Sequence, residues 1–346
     1  MTTSSTFTGH DRLQGECPRS PVSLQARPKP AARSPKPWDH CPVPVVLVLL
    51  FTLLAGACAP SAPDPREAKF IGPAPPADQS LALPNRPGSI RFAAIGDAGR
   101  GDRAQHEVAA QMEIFRDIFD YDFVVMLGDN VYDGGTPEDY RDKFERPYQV
   151  LLDDEVEFFA AIGNHDAANQ PSYEPFNMGG KRYYTFRADQ SMLARLTDTD
   201  VQFFMLDTEI LDRPQLAWLD REMARSDARW KIPVFHRPIY TSGRYAKPAR
   251  IFRAALEPIF LRHDVRVGLS GHEHFYQRTT PQQGITYFIS GGAGSLRRGD
   301  IRLQSLVAAG FDIDQHFMLF EVTRDELFYQ AISRTGHSVD AGSIRR

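Results

Sequence analysis

From Ser89 onward the chain alternates short apolar runs with amphipathic stretches. Ile90–Ile95 (IRFAAI), Phe123–Leu127 and Val156–Ile162 are apolar runs of strand length. Between the first two, Asp102–Phe119 places Val108, Met112, Phe115 and Phe119 at helical spacing on one side. Between the second and third, Pro137–Leu151 has a helical pattern, with Pro137 suited to a first turn. Strand, helix, strand, helix, strand predicts parallel pairing through crossover helices.

The second half has more strand character. Arg182–Arg187, Val201–Asp207, Trp230–Phe235, Val265–Ser270, Ile285–Ser290, Phe317–Thr323 and Leu327–Ser333 read as strands. Pro214–Ala224 and Pro248–Leu261 read as helices. The expected architecture is α/β: one domain over residues 88–340, with two packed mixed β-sheets between outer helices.

Residues 1–42 break from this pattern, being rich in Ser, Pro and Arg without apolar periodicity. Then Val43–Ala57 forms a compact apolar run that ends in small residues before Cys58, with Arg27, Lys29, Arg33 and Lys36 upstream. A basic region, an apolar region and a small-residue cleavage site are the marks of a secretory signal. Leu54-Ala55-Gly56-Ala57-Cys58 resembles a bacterial lipoprotein signal, except that Ala55 stands where Leu is usual. Residues 1–58 are therefore expected to direct export, with Cys58 as a lipid anchor at the cell envelope. An ordinary cleaved signal and an uncleaved anchor are the alternatives. Residues 59–87 are Pro- and Ala-rich and read as a linker.

Overall composition is that of a globular protein: 42% hydrophobic over 346 residues, with a net charge of -4. The mildly acidic balance gives no support for nucleic-acid binding. The three cysteines are Cys17, Cys41 and Cys58, so no disulfide forms within the domain.

Chemistry concentrates just after the apolar runs. GDAG spans Gly96–Gly99, GDNVY Gly128–Tyr132 and GNHD Gly163–Asp166; His236 lies in VFHRPIY, and GHEH spans Gly271–His274. A lone Gly-Asp pair is more often a turn than a ligand. Together, the five blocks bring Asp, Asn, His and Tyr side chains to strand ends, where ligands sit in sheets of this kind. That donor set suits two adjacent metal ions, and two metals suggest phosphoryl transfer.

In this order the blocks resemble the calcineurin-like metallophosphoesterases, and more narrowly the purple acid phosphatases. The resemblance covers roughly Ile90–Arg278. Many metallophosphoesterases open with DxH; here Gly99 takes the place of that His, and Tyr132 lies three residues after Asp129. The exchange of His for Tyr is the purple acid phosphatase pattern. Pro233 replaces the usual Val before His236, and Asp166 stands where many plant members carry Glu.

The resemblance implies a four-layer α/β/β/α sandwich and an acid phosphatase acting on small phosphomonoesters. Asp97, Asp129, Tyr132 and His274 would hold the first metal; Asp129, Asn164, His236 and His272 would hold the second. Tyrosinate is a hard oxygen donor that favours Fe(III) at the first site, and the second set suits Fe(II), Zn or Mn. His165 would face the substrate, with Asp166 orienting it. Arg100, Arg237 and Tyr240 adjoin the motifs as candidate substrate contacts, as does Arg278. The Gly291–Gly294 run (GGAG) fits a turn better than a phosphate cradle. His106, His263, His316 and His337 are expected at the surface or in packing. The other readings are a phosphodiesterase or nucleotide hydrolase on the same metal core, and a non-catalytic envelope protein on a retained fold.

Overall fold

The computed structural model describes residues 67–72, 80–188 and 199–346. The expected signal and Cys58 lie outside these residues. Strands are β1 (Phe70–Ile71), β2 (Ile90–Ile95), β3 (Phe123–Met126), β4 (Glu157–Ala160), β5 (Tyr184–Arg187), β6 (Val201–Met205), β7 (Trp230–Phe235), β8 (Val267–Ser270), β9 (Tyr276–Thr279), β10 (Thr286–Ser290), β11 (Val307–Phe311), β12 (His316–Val322), β13 (Glu326–Ser333) and β14 (Ser338–Arg345). Helices are α1 (Arg103–Phe119), α2 (Pro137–Tyr140), α3 (Gln149–Asp153), α4 (Arg213–Arg225) and α5 (Ala246–Arg262).

They form two mixed sheets, as expected. One has six strands in the order β14-β13-β12-β2-β3-β4, with β2, β3 and β4 parallel. The other has eight, in the order β1-β11-β9-β10-β8-β7-β6-β5, with a parallel centre of β6, β7, β8 and β10. Aromatic side chains fill the space between the sheets. Phe203 meets Phe92 edge-on at 5.1 Å and Phe123 at 5.6 Å, and Phe288 meets Phe320 at 5.6 Å. The outer faces are apolar as well. Val108, Met112, Phe115 and Phe119 of α1 are buried, as are Leu219 and Met223 of α4 and Leu256 and Phe260 of α5. Strands buried on both faces read as continuous apolar runs, which is how β2 and β7 were recognisable.

Two segments differ from the sequence reading. Pro137–Leu151 is not one helix: after α2 the backbone widens into a π-turn over Arg141–Glu145 and resumes as α3. Pro147 has no N–H to offer the Lys143 carbonyl, which accepts instead from Gln105 Nε2 of α1 at 2.7 Å. Within the Pro-rich segment, β1 pairs antiparallel with the edge of β11, and the Asp312 carboxylate accepts from the Lys69 amide. Asn85 and Arg86 donate their amides to the buried Glu321 carboxylate. At the other end, β14 carries the sheet on to Arg345.

Candidate metal centre

The carboxyl ends of β2, β3, β4, β7 and β8 deliver the side chains. Asp97 and Asp129 follow β2 and β3, and each holds a left-handed backbone, with φ of 55° and 53°. His272, after β8, does the same with φ of 68°. Non-glycine residues rarely adopt this conformation, and it recurs where a site requires a particular aim. Gly128 precedes Asp129 with φ of 90°, and a Cβ there would lie 2.5 Å from His236 Nδ1. Only glycine lets the two sheets approach this closely.

Two groups of donors share Asp129. In the first, Tyr132 Oη lies 3.3 Å from Asp97 Oδ1 and 3.2 Å from His274 Nε2, and that nitrogen is 3.2 Å from Asp97 Oδ1. One donor atom each from Asp97, Asp129 and His274 fall within 4.8 Å of one another. In the second, His236 Nε2 lies 3.2 Å from Asn164 Oδ1, 3.4 Å from Asp129 Oδ1 and 3.1 Å from His272 Nδ1. The floor is buried: Asp97, Asp129, Tyr132, His236, His272 and His274 are each at most 6% exposed. Asn164 and His165 are exposed and form the rim.

Hydrogen bonds fix which atoms face inward. His236 donates from Nδ1 to the Leu127 carbonyl at 2.9 Å, leaving the Nε2 lone pair for a cation. Asp97 Oδ2 accepts from the His272 amide at 2.7 Å, so Oδ1 is the oxygen turned toward Tyr132 and His274. Asp129 Oδ1 accepts from the His165 amide at 2.9 Å.

The electrostatics fit cations as well. Burial pushes the Tyr132 phenol well above its ordinary pKa, and Asp97 and Asp129 push it further, so without a cation it stays neutral. Burial opposes charge on His236, but Asp129 outweighs it with help from Asp97, and its pKa rises to about 10. A proton on His236 thus supplies positive charge that a metal would otherwise bring. Burial would raise the Asp129 carboxyl, yet the charge of His236 holds it below the usual carboxylate range. His272 is pushed down to about 2 by burial, then by His236 and Arg237, so it is neutral, as a ligand must be. Two carboxylates, a phenol and three imidazoles on a buried floor, with an amide at the rim, are matched to hard and borderline cations.

The expected catalytic pair is placed differently. His165 Nδ1 bonds Asp133 Oδ1 at 2.9 Å, not Asp166. The Asp166 carboxylate is taken up by the amides of Asn130, Val131 and Gly163 and by Asn130 Nδ2, at 2.7–3.0 Å. It ties the GDN loop to the GNHD loop, so the aspartate that orients His165 is Asp133.

Among the candidate substrate contacts, Arg100 lies over the Tyr132 ring at 3.9 Å. Arg237 places Nη1 at 3.1 Å from His272 Nε2, but Glu209 holds it bidentately at 2.7 Å and 2.7 Å. Tyr240 is not brought to the site: its hydroxyl donates to Glu257 at 2.7 Å and its ring packs on Tyr287 under α5. Arg278 pairs with Asp340 on β14. The GGAG run is a turn fastened to the first block, with Ala293 N donating to Gly96 O at 3.1 Å and Ser295 N to Asp97 O at 3.0 Å. His106 and His337 are exposed, His263 bonds Asp220 and His316 is buried.

Sequence reasoning missed Asp133, Tyr245 and Arg297. Tyr245 covers His272 with 4.2 Å between ring centroids, and Arg297 Nη2 lies 3.2 Å from His274 Nε2. Glu273, between His272 and His274, accepts from Thr241 Oγ1 at 2.9 Å and the Tyr245 amide at 3.0 Å, and so holds that tyrosine in place.

Comparison with known proteins agrees with this geometry. The model of the calcineurin-like phosphoesterase family matches residues 90–276. Tartrate-resistant acid phosphatase type 5 of Rattus norvegicus is 25% identical over 303 residues, covering 75% of this chain and 91% of that protein. Purple acid phosphatase 4 of Arabidopsis thaliana is 28% identical over 292 residues, covering 75% and 86%. Among solved structures, purple acid phosphatase PPD1 from yellow lupin shares the fold at TM-score 0.61 and 19% identity, over 76% of this chain and 55% of that one. GAP50, the anchor in the inner membrane complex of Plasmodium, does so at TM-score 0.65 and 19% identity, over 74% and 89%. The chain belongs to the calcineurin-like phosphoesterase family and is a purple-acid-phosphatase-like, metal-dependent phosphatase.

Proposed function

We propose that this chain hydrolyses small phosphomonoesters at a dinuclear metal centre. Asp97, Asp129, Tyr132 and His274 would hold Fe(III), and Asp129, Asn164, His236 and His272 would hold Fe(II), Zn or Mn. The observation that carries this reading is the pair of donor groups meeting at Asp129, one built around Tyr132 and the other around His236. When bound, the two cations neutralise the phosphoryl oxygens and make a water nucleophilic near or below neutral pH.

The chain's own residues do the rest. Asp129 holds the two donor groups in fixed relation, and Asn164 offers its amide oxygen at the open side. Asp133 occupies His165 Nδ1, so Nε2 is the nitrogen left for substrate. As water attacks phosphorus in line, the bond to the alcohol oxygen breaks and His165 gives that oxygen its proton. The rim position of His165 suits this role, because the leaving group departs toward solvent. No covalent intermediate with the protein is required.

The test is hydrolysis of a simple aryl phosphate beside its bis-aryl diester, with metal analysis of the same protein. Two ions per chain, faster monoester turnover, and a visible tyrosinate-to-iron band lost in Tyr132→Phe are expected. Faster diester turnover would favour the phosphodiesterase reading; metal binding without turnover of either ester would favour a non-catalytic role. An active, colourless and iron-free enzyme would remove the iron assignment alone.

We also propose export with lipidation at Cys58, supported by the apolar run Val43–Ala57 that precedes it. Mass spectrometry of the N-terminal peptide checks this; an unmodified residue ahead of Cys58 in the mature protein would refute it.

A further inference from the structure

Two arginines flank the first donor group. Arg100 follows the GDAG turn, lies over the Tyr132 ring and donates from Nε to Ser295 Oγ at 2.8 Å. Arg297 comes from the turn after β10. Its amide donates to the His274 carbonyl at 3.0 Å, Nη2 lies 3.2 Å from His274 Nε2, and its guanidinium sits 5.6 Å from the centre of the Tyr245 ring. Tyr132 Oη and His274 Nε2 are themselves 3.2 Å apart, so the two guanidiniums reach neighbouring donors.

Their charge balance differs from that of the other two arginines next to the motifs. Arg237 is neutralised by Glu209, and Arg278 by Asp340. Among the described residues, neither Arg100 nor Arg297 forms an ion pair with a carboxylate. Arg297 is half-buried, and its Nη1 is buried without a hydrogen-bond partner. An unsatisfied buried donor on a charged group is costly, and this one lies beside the first donor group, where an anionic acceptor would satisfy it. The one side-chain acceptor Arg297 has is His274 Nε2, the same lone pair a cation in the first group would take. With that lone pair engaged, the guanidinium has no side-chain acceptor left.

We infer that Arg297, together with Arg100, is a clamp for the non-bridging oxygens of a phosphomonoester dianion. This rests on the hydrolytic reading above and deepens it by naming the residues that would favour a monoester over a diester. A monoester offers three non-bridging oxygens and a charge near -2, whereas a diester offers two and -1. Guanidinium is the side chain best shaped to take two phosphoryl oxygens at once. Two guanidiniums not neutralised by the protein therefore favour the dianion.

The experiment uses the metal-loaded protein and three measurements: calorimetric binding of inorganic phosphate, kcat and KM for an aryl phosphate and its bis-aryl diester, and metal content with the visible band. Arg297→Gln should weaken phosphate binding and raise the monoester KM on the order of tenfold, as for loss of one charge-assisted contact. Because the contact is made to ground state and transition state alike, kcat should change much less than KM. The diester KM should rise less than the monoester KM, because the diester carries half the charge, while metal content and band should stay as in the parent. Arg297→Lys should recover part of the affinity, and adding Arg100→Gln should reduce it further.

Unchanged phosphate affinity in Arg297→Gln would overturn the clamp. So would loss of metal or of the band in step with phosphate affinity, which would make Arg297 a positioning residue for His274. If the parent turns over neither ester yet binds phosphate through Arg297, the clamp stands and the hydrolytic reading fails.

Discussion

At the scale of single residues, the bond from His165 Nδ1 to Asp133 Oδ1 decides which ring nitrogen meets substrate. Removing the imidazole should lower monoester kcat by roughly a hundredfold, the usual range for a proton donor. Asp133→Asn should cost roughly tenfold, since the ring remains but its tautomer and aim are freed. In the double variant the effects should not add, because Asp133 acts through His165. Metal content should hold in all three; full additivity in steady-state kinetics would separate the two residues. The donor residues that the fold brings together were legible from sequence because each block follows an apolar run at a strand end, a position the fold turns toward ligands. Asp133 and Arg297 were not, since nothing in local spacing says which loop side chain meets which across long sequence separations. Asp166 misled for the same reason: adjacency to His165 suggested contact, while the backbone turn delivers it to the amides of Asn130, Val131 and Gly163.

At the scale of elements, strands with long apolar runs were easy to read, and β9, β11 and β14 were not; β12 was read from Phe317 but begins one residue earlier. β9 is Tyr-Gln-Arg-Thr, yet Gln277 is buried because its side chain accepts from the Ser242 amide at 2.9 Å, and Arg278 pairs with Asp340. β12 begins with a buried histidine whose ring lies between Tyr276 and Phe311 and whose amide donates to Gly292 O at 3.1 Å. Burial, with neither ring nitrogen hydrogen-bonded, pushes the His316 pKa down to about 3. The unfolded chain takes up this proton near 6.5 and the folded one only near 3, so stability is fully present above pH 6.5 and falls as pH drops through that window. The loss should reach a few kcal/mol by pH 3–4. In His316→Leu the thermal midpoint should fall less steeply between pH 6.5 and 4 than in the parent. Equal slopes would show that other groups govern acid unfolding.

At the scale of the molecule, the candidate metal centre lies where the two sheets meet. Asp97, Asp129, Tyr132 and Asn164 follow strands of the six-stranded sheet, while His236, His272 and His274 follow strands of the eight-stranded one. Each proposed ion therefore draws donors from both sheets, with Asp129 common to the two. Binding to the folded state alone stabilises it, by about 2.7 kcal/mol for each site at a free-metal concentration a hundredfold above Kd. For a domain of this size that corresponds to a rise in midpoint of roughly 5–10 °C per site. A chelator should lower the melting temperature of the metal-loaded protein by at least this much. Stripped protein should still fold, because the proton on His236 leaves part of the carboxylate charge compensated. Asp129→Ala removes the donor common to both groups, so its melting temperature should not respond to chelator, and its metal content should fall to background at both sites. If the variant instead kept one ion and half the chelator response, the two donor groups would be independent sites, and Asp129 would belong to only one of them.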